Sequence, residues 1–226
     1  MKDKDVAVVM ITKNEEKSVR KVISDIKKYV PGAEILLVDS SADKTPQIAK
    51  KMGARVIRQY PPKGYGPAMM KALSTPKKDI IVTMDCDNTY PANIIPKLIK
   101  KINQGYDLVG TTRVSSKKSK HMRLENYLAN KMFNWFASLV FLRQIHDVHS
   151  GMRAYRKDLI HKIKWNYRPS ALPVELLLKP IRLGYQVIEI PIVYKQRLGE
   201  TTLDRFNSGI WTFRRIISSR RTKLVR

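Results

Sequence analysis

Short apolar runs alternate with amphipathic segments along the first half of the chain. The runs are rich in β-branched residues and have the length of buried strands, at residues 6–11, 35–38, 55–58, 79–84 and 108–111. Between them, apolar residues recur at helical spacing, which predicts helices that end near residues 29, 52, 73 and 104. This alternation predicts an α/β fold with an open, Rossmann-like, mostly parallel sheet flanked by helices.

The first of these helices has the clearest pattern. Its start is predicted from TKNE at residues 12–15, which fits a capping box directly after the first strand. The Pro-Gly pair at residues 31–32 predicts its end. The buried stripe of this helix is predicted to consist of Val19, Val22, Ile23 and Ile26.

The second half of the chain is less regular. It predicts a long amphipathic helix at residues 122–142, a loop with the sequence HDVHSGMRAYR, and a helix near residues 157–163. An apolar stretch at residues 174–178 and a strand-like segment at 187–194 follow, and then a basic C-terminal helix. No repeat, low-complexity segment or linker divides the chain, so a single domain over residues 1–226 is predicted.

Charge narrows the choice of partner. The 226 residues carry a net charge of +25, which predicts an anionic partner such as nucleic acid, an acidic membrane surface or a phosphorylated substrate. Cys86 is the only cysteine, which excludes an internal disulfide and suits a reducing compartment. The N-terminus does not have the pattern of a secretory signal, and no run of about 18 apolar residues predicts a membrane span.

Polar residues follow the predicted strands where each one ends, and ligands of such sheets bind at that edge. One of these segments, TMDCDNTYP, contains Asp85 and Asp87, whose side chains point the same way on an extended backbone. Two carboxylates on one side repel each other unless a cation lies between them, and Mg²⁺ or Mn²⁺ prefers such oxygen ligands. The alternative is a polar turn that caps the helix after Pro91. Position favours the metal, because Asp3 and Asp5 have the same spacing but do not follow a buried strand.

Six segments, in order along nearly the whole chain, resemble motifs of family 2 glycosyltransferases with the GT-A fold. They are ITKNEE, VDSSADKT, KGYGPAMMKAL, DCD, DVHSGMRAYRKD and IEIPIVYKQRLGETTL. The last two are similar to motifs of dolichyl-phosphate mannose synthases and related polyprenyl-phosphate sugar transferases. The chain departs from the usual motifs at Ile11, Lys13, Ser40 and Thr202. The first three departures concern the nucleotide pocket and leave the base, guanine or uracil, open.

The resemblance implies a metal-dependent, inverting transfer of a hexose from a nucleotide sugar to dolichyl or polyprenyl phosphate. GDP-mannose is the favoured donor, and UDP-glucose or another UDP-sugar is the alternative. Residues 1–112 would form the nucleotide-sugar half and residues 113–202 the acceptor half. A lipid phosphate is already an anionic nucleophile, so the main task is to offset charge repulsion with arginines and a divalent ion.

The resemblance also implies roles for individual residues. The donor would be bound by Thr12, Asn14, Glu15, Asp39, Lys63, Gly64, Asp85 and Arg197. The metal ion, Mg²⁺ or Mn²⁺, would be held by Asp85, Asp87 and Thr89. The acceptor would be bound by Arg113, Arg123, Ser150 and Arg153. The residues expected to be catalytic are Asp85, Asp87, Arg113, Arg123 and Asp147.

Residues 203–226 predict a basic amphipathic helix that lies on an anionic membrane surface. Its basic residues are Arg205, Arg214, Arg215, Arg220, Arg221, Lys223 and Arg226, and its apolar residues Phe206, Ile210, Phe213 and Ile217 share one face. The alternative is a surface helix whose apolar face packs on the core. The protein is thus expected to be peripheral on the cytoplasmic face of a membrane, by itself or through a membrane-anchoring protein.

Three other interpretations remain weaker. A nucleic-acid-binding module suits the charge, but no zinc-finger, RNP or helix-turn-helix pattern occurs and the DCD segment has no purpose there, so no nucleic acid partner is expected. His146 and His149 have metal-ligand chemistry, but no further ligand is evident nearby. Trp135, Phe136 and Leu139 recur at helical spacing and predict either a lipid groove or ordinary core packing.

Overall fold

The computed structural model describes residues 5–114, 121–168, 170–199 and 205–223, with side chains from residue 209 onward in the last range. The strands are β1 (Val6–Thr12), β2 (Glu34–Asp39), β3 (Arg55–Arg58), β4 (Ile80–Thr83), β5 (Leu108–Thr112), β6 (Arg153–Arg156) and β7 (Val187–Pro191). The helices are α1 (Val19–Tyr29), α2 (Thr45–Lys51), α3 (Tyr65–Ser74), α4 (Ile95–Asn103), α5 (Leu124–Phe141), α6 (Lys157–Lys162), α7 (Leu172–Arg182) and α8 (Arg205–Arg220). Thr202, Arg226 and the side chains of Arg205 and Phe206 lie outside this description.

The strands form one sheet in the order β3-β2-β1-β4-β6-β5-β7. Its neighbouring strands are parallel except at β6, which is antiparallel to both β4 and β5. The predicted α/β fold with a mostly parallel sheet is therefore confirmed. Strand β6 lies in the segment that was predicted as a loop, because its sequence RAYR contains no apolar run that would mark a buried strand.

Helices cover both faces of the sheet. Alternate residues of β1 point to opposite sides, so Val8 and Met10 join one buried cluster while Ala7 and Val9 join the other. The first cluster packs against α1 and α4, and the second against α3, α5 and α7. Burial on both sides explains why β1 is apolar at nearly every position instead of alternating.

The predicted start of the first helix is wrong. Helix α1 begins at Val19, and its N-cap Ser18 makes no side-chain capping bond. The amides of the predicted capping box bond across the sheet edge instead, from Asn14 N to Ser41 Oγ at 2.8 Å and from Glu15 N to Thr45 Oγ1 at 2.8 Å. Residues 13–15 thus form a loop tied to the residues after β2, and the predicted apolar stripe of α1 is buried as expected.

Helix α8 packs against α7 and α5. The helix predicted to lie on a membrane surface therefore has one face on the protein itself. The face toward the core carries Thr212, Arg215, Ile216 and Ser219, all of them buried. Of the four apolar residues predicted to share one face, Ile210 and Ile217 are exposed, while Phe213 contacts the rings of two residues of α5. The helix therefore has an inner face that docks on the protein and an outer face that is open. None of the helices described has the length and apolarity needed to cross a membrane.

Candidate functional site

The carboxyl ends of β1 and β2 meet at one edge of the sheet, where Thr12 lies opposite Asp39. Asp39 is fully buried and accepts hydrogen bonds from Thr12 Oγ1 at 2.7 Å and Ser41 Oγ at 2.6 Å. It also forms an ion pair with Arg58, whose Nη2 donates to the Ser41 carbonyl at 2.8 Å. Asp39 is therefore held rigidly and its charge is balanced. The ion pair with Arg58 could not be predicted from the sequence.

The loop after β1 brings the carboxylate of Glu15 toward the same edge of the sheet. Asn14 has a positive φ of 60° and accepts a hydrogen bond from the Ala42 amide at 2.9 Å. This turn directs Glu15 toward the aspartates that follow β4. The pKa of Glu15 is raised from 4.5 to about 7, chiefly by burial; the hydrogen bond from the Ser18 hydroxyl opposes this rise and the charge of Asp87 adds to it.

Asp85 and Asp87 follow β4 and lie in the same cluster as Glu15. Burial raises the pKa of Asp85 to about 7, and the nearby charge of Asp87 adds to this effect. Asp87 is buried, and its Oδ1 accepts from Thr89 N at 3.0 Å and Thr89 Oγ1 at 2.5 Å. Its Oδ2 lies 2.6 Å from Arg197 Nη2. The cluster is thus rich in carboxylate and is offset by an arginine from the far end of the chain.

These side chains fit a divalent ion that is completed by substrate. Burial and, after it, the charge of Asp87 raise the pKa of Asp85, and a bound cation would stabilise both carboxylates. Among the residues described, no group of three or more His, Cys, Asp or Glu side chains is arranged to hold a metal. Mg²⁺ and Mn²⁺ commonly use one or two carboxylates together with phosphate oxygens, which suits Asp85 and Asp87. Thr89, predicted as a metal ligand, is buried and its hydroxyl donates to Asp87 Oδ1, so it holds that carboxylate in position.

The loop before β6 closes the cluster from the other side. A Cβ at Gly151 would lie 2.9 Å from both carboxylate oxygens of Asp85, so only glycine fits there. The Gly151 amide donates to the Tyr90 hydroxyl at 2.7 Å, which fixes the loop. No local sequence pattern indicates either contact, because the partners are far apart in the chain.

Arg113 and Asp147 form the centre of the predicted acceptor side. Nε and Nη2 of Arg113 lie 2.8 and 2.9 Å from the two oxygens of Asp147, and the Arg113 amide donates to the same carboxylate at 3.0 Å. Burial alone would raise the pKa of Asp147, but the charge and hydrogen bonds of Arg113 hold it below its ordinary value. The guanidinium also lies over the ring of Tyr194, 5.7 Å from its centre. Asp147 thus orients Arg113 at the edge of the sheet.

The other predicted acceptor residues do not join this pair. Ser150 is buried and bonds to Thr111, with 2.7 Å between the hydroxyl oxygens. Arg153 is also buried, and its Nη2 donates to the Val148 carbonyl at 3.0 Å, so it supports the loop from inside. Arg123 is exposed at the N-terminal cap of α5.

Two further predicted donor residues precede α3. Lys63 is exposed, and Gly64 is the N-cap of the helix, with a φ of 93° that favours glycine. His149, considered as a metal ligand, instead bonds through its ring to Asn130 Oδ1 at 3.1 Å and Thr212 Oγ1 at 2.9 Å. Its side chain therefore joins α5 to α8.

The sheet order and the acidic edge define a glycosyltransferase of the GT-A fold. The chain belongs to glycosyl transferase family 2, whose model matches residues 7–164. Both the family and the fold predicted from the six motifs are thereby confirmed. The protein is an enzyme of this transferase class.

Relatives and solved structures extend over most of the chain. A dolichyl-phosphate hexose transferase from Haloferax volcanii is 45% identical over 206 residues, which cover 91% of this chain and 89% of that protein. A dolichol-phosphate mannosyltransferase from Pyrococcus furiosus is 28% identical over 209 residues, 88% of this chain but 59% of the relative. Glucosyl-3-phosphoglycerate synthase from Mycobacterium tuberculosis, solved with Mn²⁺, UDP-glucose and phosphoglyceric acid, superposes with a TM-score of 0.77 at 20% identity, over 97% of this chain and 81% of that one.

Proposed function

We propose that this enzyme transfers a hexose from a nucleotide sugar to dolichyl or a similar polyprenyl phosphate, with a divalent ion at Asp85 and Asp87. The observation that carries the proposal is the carboxylate cluster at the sheet edge, placed next to the Arg113–Asp147 pair. A cluster of acids suits a metal-bound diphosphate, and an oriented arginine beside it suits a second phosphate. The names of the Haloferax and Pyrococcus relatives support a dolichyl phosphate acceptor and a hexose.

On the donor side, four kinds of contact would meet the diphosphate and its nucleoside. The bound ion would neutralise the diphosphate and stabilise the charge of the departing nucleotide. Arg197 supplies a guanidinium from the opposite wall, and Glu15 adds a third carboxylate. Asp39, fixed by Arg58, borders the proposed nucleoside pocket. GDP-mannose remains the favoured donor, with UDP-glucose or another UDP-sugar as the alternative.

On the acceptor side, the phosphate monoester is its own nucleophile. It approaches the anomeric carbon opposite the leaving diphosphate, so one displacement inverts the configuration. Arg113 offsets the repulsion between the two anions, and Asp147 keeps its fork in position. Arg123 is exposed at the start of α5, where it suits contact with a lipid phosphate at the membrane. This arrangement supports a donor half at residues 1–112 and an acceptor half at 113–202, with Arg197 reaching from the second half to the donor side.

The surface around α5 suits a membrane that presents such an acceptor. Exposed apolar residues recur every three or four positions along α5 and form one stripe, which ends at the residue after the helix. They are Leu124, Leu128, Met132, Trp135, Leu139 and Leu142. Beside it, the outer face of α8 exposes Ile210 and Ile217 together with Arg214. An apolar stripe next to basic residues is typical of a peripheral protein on an anionic bilayer. We therefore place α5 and α8 on the cytoplasmic face of a membrane.

A donor panel tests the proposal directly. The full chain is incubated with dolichyl phosphate in anionic vesicles, Mn²⁺ or Mg²⁺, and either GDP-mannose, UDP-glucose or another UDP-hexose, and the lipid products are identified by mass spectrometry. One donor is expected to give a dolichyl phosphate hexose, and a chelator is expected to stop its formation. The proposal would be overturned if no donor gave a dolichyl phosphate hexose with Mn²⁺ or Mg²⁺ present, or if a chelator left the transfer unchanged.

A further inference from the structure

The chain segment at residues 195–198, here called the strap, lies over the turn that carries the metal-binding aspartate. The Lys195 amide donates to the Thr89 carbonyl and the Leu198 amide donates to the Asp87 carbonyl, both at 2.9 Å. From the turn, Asn88 Nδ2 donates back to the strap at the Gln196 carbonyl at 3.2 Å. Hydrogen bonds at both ends and in the middle therefore fix the strap to residues 87–89.

Arg197, in the middle of the strap, forms an ion pair with the second carboxylate oxygen of Asp87. Oδ1 of Asp87 is already bonded to the amide and hydroxyl of Thr89, and Oδ2 lies 2.6 Å from Arg197 Nη2. The Asp87 side chain is 3% exposed, whereas that of Arg197 is 34% exposed. The guanidinium can therefore leave toward solvent while the aspartate stays in place.

A divalent ion at Asp87 needs the same oxygen and carries the same sign of charge as the guanidinium. Both cannot remain bound to Oδ2 at contact distance, because like charges repel strongly in a partly buried site. The strap keeps Arg197 within reach of whatever anion joins the ion. In a nucleotide-sugar transferase that anion is the donor diphosphate, so the next step rests on the proposed function.

We propose that Arg197 exchanges partners: it neutralises Asp87 in the free enzyme and moves to the donor diphosphate when the metal takes its place. Arg197 thereby competes with the metal before the donor arrives and supports the metal-bound donor afterwards. Metal and nucleotide are thus coupled, and each strengthens the binding of the other by the same factor. The metal site is weak until the donor diphosphate is present, which limits binding of the ion without substrate.

The exchange predicts opposite effects of one substitution. Mn²⁺ is titrated calorimetrically into the wild type and Arg197→Gln, without nucleotide and with saturating GDP or UDP, and GDP or UDP is then titrated into each protein at saturating Mn²⁺. Arg197→Gln is expected to bind Mn²⁺ alone about three- to tenfold more tightly, because a competing, partly exposed ion pair is lost. With Mn²⁺ saturating, the same variant is expected to bind the nucleoside diphosphate about tenfold more weakly.

Lys195→Gln is the matched control, because it removes one positive charge from the same strap while the backbone bond of Lys195 remains possible. It is expected to change Mn²⁺ affinity by less than Arg197→Gln does, and circular dichroism checks that both variants are folded. The exchange is overturned if Arg197→Gln binds Mn²⁺ alone no more tightly than the wild type, or if neither protein binds Mn²⁺ alone detectably. It is also overturned if Lys195→Gln gains as much Mn²⁺ affinity as Arg197→Gln. If the wild type binds Mn²⁺ together with GDP or UDP, but Arg197→Gln shows no gain in affinity for Mn²⁺ alone, the exchange is refuted and the proposed function is not. No binding of Mn²⁺ with either nucleotide refutes the metal-dependent function as well.

Discussion

Gly151 shows how one residue sets the geometry of the carboxylate cluster. Its missing side chain leaves the space that Asp85 occupies, since an added Cβ would lie 2.9 Å from both oxygens of that carboxylate. Gly151→Ala is expected to displace Asp85 and to weaken Mn²⁺-dependent nucleotide binding by about tenfold to a hundredfold, because losing a contact to a charged group costs about 1.5–3 kcal/mol. Calorimetry measures it. Gly209→Ala is the control, because among the described residues its Cβ would meet Phe133 at the ordinary distance of 3.7 Å. Equal nucleotide binding by the two variants would show that Asp85 does not depend on this contact.

At the scale of single residues, sequence analysis predicted the acids better than their partners. Asp85 and Asp87 stand out because they follow an apolar strand, a local pattern. Arg58 and Tyr90 reach the site through contacts with Asp39 and Gly151, which no local pattern reveals. Arg153 lies in a segment that resembles a family motif, but its side chain is buried and donates hydrogen bonds to backbone carbonyls. Burial of an arginine depends on the whole fold, and the sequence around it gives no sign of it.

Helix α8 has two faces that two neighbouring arginines distinguish. Arg215 is buried, forms an ion pair with Glu175 of α7, and donates to two backbone carbonyls of the loop before that helix. Arg214 is exposed on the outer face. Arg215→Gln is expected to lower the free energy of unfolding by about 3 kcal/mol, because it leaves a buried carboxylate with only Lys179 as its charged partner. Arg214→Gln is expected to change it by less than about 0.5 kcal/mol and to weaken binding to anionic vesicles instead.

Urea denaturation and vesicle sedimentation of both variants measure these two effects. Equal losses of stability in Arg214→Gln and Arg215→Gln would contradict the docked position of α8.

His149, which joins α5 to α8, makes this junction sensitive to acid. Burial lowers its pKa from 6.5 to about 4. Between these values the unfolded chain binds more protons than the folded one, so the contribution of His149 to stability is lost as the pH falls from 6.5 toward 4. His149→Gln cannot titrate, so its free energy of unfolding is expected to fall less between pH 7 and pH 4.5, by about 2 kcal/mol. Urea denaturation at both pH values measures this. His161→Gln, exposed on α6, should behave as the wild type, and an unchanged acid response of His149→Gln would refute the assignment.

At the scale of elements, most strands and helices of both halves were predicted, and the clear misses are strand β6 and the start of α1. Strands β1 to β5 were found because each is a buried apolar run whose bounds are local. Strand β6 was missed because it is four residues long, contains two arginines and gains its place only by pairing between β4 and β5. The start of α1 was misplaced because the amides of residues 14 and 15 bond to the loop after β2. Long-range hydrogen bonds decided both cases.

For the whole molecule, the charge and the exposed apolar stripe together predict how the enzyme meets its acceptor. Replacing Trp135 and Leu139 with glutamine is expected to weaken association with anionic vesicles by about tenfold or more, because both side chains are largely exposed and would leave the bilayer. Vesicle sedimentation at low and high salt measures this, and nucleotide binding should remain unchanged. Tyr29→Gln, an exposed aromatic on α1, is the control. Wild-type binding by the double variant would place the membrane contact elsewhere.

The central claim is that hexose transfer to a lipid phosphate depends on the carboxylates of Asp85 and Asp87. The most direct test is the rate of hexose transfer to dolichyl phosphate by Asp85→Asn and Asp87→Asn, with the donor that the wild type prefers and Mn²⁺ present. Asp158→Asn is the matched control, because that carboxylate is exposed and pairs only with Lys162 at the surface. We expect both cluster variants to lose transfer by at least about a hundredfold, since each removes a charged ligand of the ion, while Asp158→Asn retains it. Near wild-type transfer by either cluster variant would contradict the account.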